Sequence, residues 1–174
     1  MLQINTRLKP ADLQESLLPL WALSAKKIQA IHQDPQHRSA TPVFTSGGRY
    51  QPQGWTEWTQ GFQFGCQILQ FDATGDETFL EMGRRNTLER MAPHLTHFGV
   101  HDHGFNNVST YGNLRRLMLE GRIADDEREL QLYELALQVS GAVQAARWSE
   151  TSDDDGYIYS FNGPHSLFCD TIRS

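Results

Sequence analysis

Carboxylates set beside histidines and aromatic rings are the residues of this chain best suited to chemistry. The densest polar cluster is His101-Asp102-His103-Gly104-Phe105. Three readings are open to it. As a metal site it offers two histidines at i and i+2, which share a face only on a strand. Zinc takes three or four ligands, so His94, His97 and Cys66 would have to complete the set. As a solvated loop, it lets Asp102 cap the helix that follows. As a catalytic site, it places a carboxylate, Asp102, next to His101 on a loop between helices, where a rigid scaffold commonly displays such groups. The second cluster runs Asn162-Gly163-Pro164-His165-Ser166-Leu167-Phe168-Cys169-Asp170. Asp170 is either a carboxylate favoured by a helix dipole or an acid whose pKa is raised by Phe168, Cys169 and Ile172 around it. Two carboxylates in unlike surroundings let one donate a proton while the other stays charged. The third cluster is aromatic: Trp55, Trp58, Phe62 and Phe64 follow a stretch rich in Gly and Pro. Phe62 and Phe64 suit a core. Trp58 and Trp55, at a loop-to-helix junction, suit a flat wall against a sugar ring.

Signals for other chemistries are missing. There is no Gly-x-Ser-x-Gly elbow, no phosphate-binding Gly-rich loop ending in Lys-Ser/Thr, and no dinucleotide fingerprint after a strand. Gly61 and Gly65 fall inside a helix, where they permit close helix approach. Lys and Arg number 15 against 21 Asp and Glu, a net charge of −6. Basic residues occur only as short pairs such as Arg84-Arg85 and Arg115-Arg116. That balance argues against nucleic acid as a partner. Two cysteines, Cys66 and Cys169, cannot form a disulfide framework and read as buried free thiols. No apolar run is long enough to span a membrane. Met1 to Thr6 lacks the charged start and apolar core of a signal peptide. The expectation is a cytoplasmic, reducing location.

The elements that must position these groups are mostly helical. With 174 residues, 39% hydrophobic and 21% charged, the chain fits one domain with a real core. Leu13, Leu17, Leu20/Trp21, Ser24, Ile28 and Ile31 step by three and four and predict a helix over residues 12–33, ended by Pro35. Residues 35–57, with three prolines and three glycines, read as a long loop. A second helix over 57–74 carries Trp58, Phe62, Gly65 and Leu69 on one face. Gly75 stops it and Asp76 caps a third helix reaching residue 92, so 57–92 is an antiparallel helical hairpin. A fourth helix covers 107–120. A fifth covers 125–148, with acids at its start and Arg147 near its end, as the dipole prefers. Tyr157 to Phe161 alternates like a strand, and Asn162-Gly163-Pro164 opens a sixth helix. The whole reads as a single all-α domain of helical hairpins over residues 1–174. The chain stops inside that sixth helix without a cap, so a fragment, self-association or a missing C-terminal half is expected.

Taken together, the motifs resemble those of the unsaturated glucuronyl hydrolases, glycoside hydrolase family 88, and the related unsaturated rhamnogalacturonyl hydrolases of family 105. The matching stretches are Glu57-Trp58-Thr59-Gln60-Gly61-Phe62-Gln63-Phe64-Gly65, Thr74-Gly75-Asp76-Glu77 with Phe79-Leu80, His101-Asp102-His103-Gly104-Phe105, and Gly156-Tyr157-Ile158-Tyr159-Ser160-Phe161 ahead of Asp170. The resemblance implies an (α/α)6 barrel, of which this chain would form about the N-terminal half. It implies an unsaturated uronyl oligosaccharide as substrate, with removal of the 4,5-unsaturated uronic acid by hydration of its enol-ether double bond. It implies no metal or organic cofactor. Carried over by motif, Asp170 resembles the general acid/base and Asp102 its partner carboxylate. His101 resembles a substrate contact, Trp58 a wall for the unsaturated ring, and Phe161 stands where the family usually has Trp. The family usually has Trp at the place of Gln63 as well.

Overall fold

The computed structural model describes residues 6–37, 40–152 and 154–170. After a 3-10 turn at Pro10–Leu13 comes helix α1, Gln14–Gln33. A two-stranded hairpin follows, β1 Thr41–Ser46 and β2 Arg49–Gln53. Helices α2 Thr59–Thr74, α3 Glu77–Arg90 and the single turn α4 Ala92–Leu95 come next. A π-helix, Gly104–Gly112, runs directly into α5, Asn113–Leu119. Helix α6, Glu127–Ala145, leads to a second short hairpin, β3 Trp148–Glu150 with β4 Gly156–Ile158.

The architecture is that of packed helical hairpins, as the hydrophobic spacing requires. The α2–α3 hairpin has the expected turn. Gly75 takes a left-handed φ of 72° while its N–H reaches the Phe71 carbonyl, and Asp76 Oδ1 accepts from Thr78 N–H at 3.0 Å. Helix α6 begins at an Asp126 cap that accepts from the N–H groups of Arg128 and Glu129. Helix α2 sits centrally, packed against α1, α3 and the π-helix. The core gathers Phe64, Ile68 and Phe71 from α2, Phe79, Leu80 and Met82 from α3, and Leu114, Leu117 and Tyr133 from α5 and α6.

Four expectations need correction. Residues 35–57 are not a featureless loop. Gly47 and Gly48, at φ 57° and 75°, make the two-residue turn of an antiparallel hairpin. Pro42 and Pro52 are tolerated because a two-stranded ribbon has only edges, and they face each other where the register shifts. The buried face of α2 is Phe64-Ile68-Phe71 rather than the face bearing Phe62 and Leu69, both exposed. Both cysteines are free, as expected, but exposed rather than buried. Among the described residues Pro164 opens no helix. Residues 163–166 form a turn closed by Ser166 N–H to the Gly163 carbonyl, the chain then runs irregularly to Phe168, and Cys169 and Asp170 take 3-10 conformation. Residues 171–174 of the expected helix lie outside the described residues.

Helix α1 buries only Ile28 of its expected stripe, and Leu17, Leu18, Leu20 and Leu23 stay exposed. No described helix is long and apolar enough to cross a membrane.

Candidate functional site

The site is assembled where the start of α2 meets the start of the π-helix. Helix α2 has no side-chain cap of its own at Trp58, so its first N–H groups need outside acceptors. Asn106 supplies one from the π-helix, its Oδ1 accepting the Gly61 N–H at 2.9 Å. The approach is close enough that a Cβ on Gly61 would sit 2.3 Å from the Asn106 Cα, and one on Gly65 2.7 Å from the Ser109 carbonyl oxygen. These two glycines therefore serve close packing, as their spacing suggested. The contact brings Trp58 and Phe62 beside Phe105, ring centroids 6.4 and 5.3 Å away.

Between these rings and the 161–170 segment lies a cleft of about 690 Å³. Trp58, Phe62 and Phe105 wall one side, Phe161 and Phe168 the other, and His101, Asp102, Asp170 and Glu57 supply the polar groups. No Lys or Arg lines it among the described residues. His101 is 2% exposed and lies nearly parallel to the Phe161 ring at 6.0 Å and 13°. Its Nε2–H donates to Asp170 Oδ1 at 3.3 Å, and Asp102 Oδ1 lies 3.8 Å from the same nitrogen. Its Nδ1 is buried with no hydrogen-bond partner among the described residues, which favours the tautomer carrying the proton on Nε2. Gln144 fixes the backbone here by donating to the His101 carbonyl at 2.7 Å.

The two carboxyls stand in unlike surroundings, but not as their neighbours in sequence suggested. Asp102 is the buried one. Burial pushes its pKa above the usual carboxylate range, His101 opposes that, and the negative charge of Asp170 adds to it. Arg147 lowers it and Glu57 raises it, each from further off. Asp170 has a side chain 42% exposed at the open edge of the cleft. Its flanking residues Phe168 and Cys169 are exposed too, so local sequence overstated its burial. Asp102 does not cap a helix with its side chain; its backbone carbonyl accepts from Asn106 N–H.

The structure thus brings together Asp102, Asp170, His101, Trp58 and Phe161. It does not bring Trp55 to this cleft. The Trp55 indole packs edge-on against His94 and His97, with centroids 5.4 and 5.0 Å away. Phe105 and Phe168 are further walls of the cleft; in sequence Phe105 is a motif neighbour of Asp102 and Phe168 an apolar flank of Asp170. Glu57 is a third carboxylate of the cleft.

His101, Asp102 and Asp170 could share one ion, their ligand atoms lying within 4.8 Å of one another. His103 cannot join them. Its Nε2–H donates to the His97 carbonyl at 3.0 Å and its Nδ1 accepts from Ser140 Oγ at 2.9 Å. Asn107 donates in turn to that hydroxyl. His94 is likewise occupied, by Gln60 Oε1 at 2.7 Å. The remaining arrangement is a protonatable carboxyl beside a carboxylate, bridged by an imidazole and enclosed by aromatic faces. Such an arrangement suits proton transfer onto a flat substrate held between rings.

No protein-family model matches the chain, and no curated protein matches it. Among solved structures, the chain is similar to the crystal structure of an unsaturated glucuronyl hydrolase specific for heparin, with a TM-score of 0.57 and 22% identity over 79% of this chain. The chain spans 36% of that protein's length. The likeness agrees with the resemblance carried by the Trp58 and His101 motifs, and it shows a fold of helical hairpins like that of part of an α/α barrel.

Proposed function

We propose that this chain carries the proton-handling part of a glycoside hydrolase that removes a 4,5-unsaturated uronic acid from oligosaccharides by hydrating its double bond. The observation that carries this reading is the Asp102–His101–Asp170 cluster at the floor of an aromatic cleft. Ordinary glycosidic displacement sets two carboxyls on either side of an anomeric carbon, at least about 5 Å apart. Here both meet one imidazole nitrogen. That crowding suits a single shared proton.

In the proposed step, Asp102 stores the shared proton of the pair, and Asp170, open to the cleft, delivers it to C4 of the unsaturated ring. Positive charge developing at C5 is stabilised by the carboxylate left behind. A water adds its oxygen to C5 and returns its proton to that carboxylate, so the acid is regenerated. The hemiketal then opens and releases the aglycone. Trp58 and Phe161 act as faces for the planar ring, and His101 orients Asp170.

Among the described residues the cleft presents no Lys or Arg to the uronate's own carboxylate. The test is the near-ultraviolet absorbance of an unsaturated uronyl disaccharide. The signal should decay with the wild-type chain and persist with Asp170→Asn and with Asp102→Asn. Decay that survives either substitution would remove the cluster from the chemistry.

A further inference from the structure

Arg147 is the most deeply buried Lys or Arg among the described residues, 1% exposed just after α6. Burying a guanidinium is costly unless each N–H is satisfied. Its donors go to backbone carbonyls rather than to a carboxylate. Nε donates to the Tyr159 carbonyl at 3.0 Å, Nη2 to that of Ser160 at 2.7 Å, and Nη1 to that of Phe98. Its plane lies over the Tyr159 ring at 4.4 Å and faces the Phe98 ring at 5.5 Å. Its own carbonyl accepts the Tyr159 N–H at 3.1 Å. One side chain therefore ties together three pieces: the end of α6, the stretch three residues before His101, and the stretch that leads directly into Phe161.

These ties matter because the second wall of the cleft is otherwise held by short-range contacts, among them the Ser149 and Tyr157 hydroxyls donating to the Pro164 carbonyl at 2.9 and 2.6 Å and the His101–Asp170 bond. The β3–β4 ladder pairs only three residues on each strand. Beyond it, Ser160 and Ser166 join through a backbone bond and a 2.6 Å hydroxyl contact, which closes the 160–166 turn upon itself. Phe161 and Phe168 contact His101 through ring stacking alone.

We infer that Arg147 is a positioning residue: by clamping residues 98, 159 and 160 in one planar fork, it sets Phe161 and Asp170 against His101. A lysine could not do this, because a single ammonium cannot present donors in that fixed fork. The inference rests on the proposed function only for what the positioned groups accomplish; the clamp itself is tested without substrate.

The experiment compares wild type, Arg147→Lys and Arg147→Met by amide hydrogen exchange and by the ring resonances of the histidines. Lysine keeps the charge and limits the risk that the chain fails to fold. With Arg147→Lys, exchange over residues 156–161 should speed up by about tenfold or more, the scale of one lost charge-assisted hydrogen bond. Exchange within α2 and α6 should hold. The His101 ring signals should move while those of His94 stay. Arg147→Met should repeat the pattern more strongly. Unchanged His101 signals in both variants would overturn the inference, as would exchange rising equally throughout the chain in Arg147→Lys. If the wild type fails to hydrate an unsaturated uronide, the functional reading falls, yet this comparison still decides the role of Arg147.

Discussion

Lowering the pH from 7 to 4.5 should remove about 2.5 kcal/mol of stability through His94 alone. The imidazole is 3% exposed on the one-turn helix α4, with Trp55 edge-on to it and Asn107 donating to its carbonyl. Its Nε2–H donates to Gln60 Oε1, which suits the neutral ring. Burial first, then the nearby His97, His103 and Arg90, lowers its pKa from 6.5 to about 4. An unfolded chain therefore binds a proton between pH 6.5 and 4 that the folded chain refuses. Stability from this group is fully present above pH 6.5 and falls as pH drops toward 4. At about 1.36 kcal/mol per pKa unit the full loss is about 3 kcal/mol, most of it reached by pH 4.5. The assay is urea unfolding at several pH values for wild type and His94→Gln, which keeps an amide donor for Gln60 but has no titrating ring. The difference between the two free energies should shrink by about 2.5 kcal/mol from pH 7 to 4.5. A difference constant within about 0.5 kcal/mol would refute the reasoning, since it would mean that the buried ring titrates as it does in the unfolded chain.

Further outcomes follow from other sites. Gly61→Ala should destabilise by about 3 kcal/mol by denaturant unfolding, because its Cβ would meet the Asn106 and Phe105 backbone, which cannot yield as a side chain can. Gly141→Ala, where the added Cβ meets nothing within 4 Å on α6, should instead stabilise by about 0.5–1 kcal/mol. Asp126→Ala removes the acceptor for two N–H groups at the start of α6 and should cost about 1 kcal/mol. For Asp102, whose folded pKa is raised, ionisation opposes folding, so stability falls as pH rises through that pKa. Asp102→Asn should therefore unfold at a higher temperature than wild type at pH 7, and the gap should close well below pH 3.8.

Much of the frame was legible because it depends on local rules. Thr74-Gly75-Asp76 punctuates α2 and α3 through a left-handed stop and a side-chain cap, both short-range events. Tyr133, Ala136, Ser140 and Gln144, three or four residues apart, form the buried side of α6. The inner face of α2 was not legible because that helix is packed on several sides, by α1, α3, α5, β1 and the π-helix. It buries Gln60, Gln67 and Gln70 beside Phe64 and Ile68, so hydrophobicity alone does not mark its inner side. The β1–β2 hairpin was hidden by prolines that normally break strands, although Gly47-Gly48 was the signal for it.

The site was legible in its residue types and not in its electrostatics. Asp102, Asp170, His101, Trp58 and Phe161 meet in one cleft, though some 70 residues of sequence separate His101 from Asp170. Which carboxyl is desolvated depends on groups that local sequence does not link: Gln144 and Arg147 behind Asp102, and open solvent beside Asp170. Arg147 read as a dipole partner at a helix end; its three carbonyl contacts arise only when the 159–160 strand end folds back over α6. Trp55 sits three residues from Trp58 yet turns to His94 and His97, because the Trp58 position already starts the helix.

The central claim is that the Asp102–His101–Asp170 cluster acts on a double bond. The most direct measurement incubates the chain with an unsaturated uronyl disaccharide and, separately, with its saturated counterpart, following release of the aglycone by chromatography. Release from the unsaturated sugar alone, in step with loss of its near-ultraviolet absorbance, is the predicted result. Equal release from both sugars, or release from neither, would contradict the account.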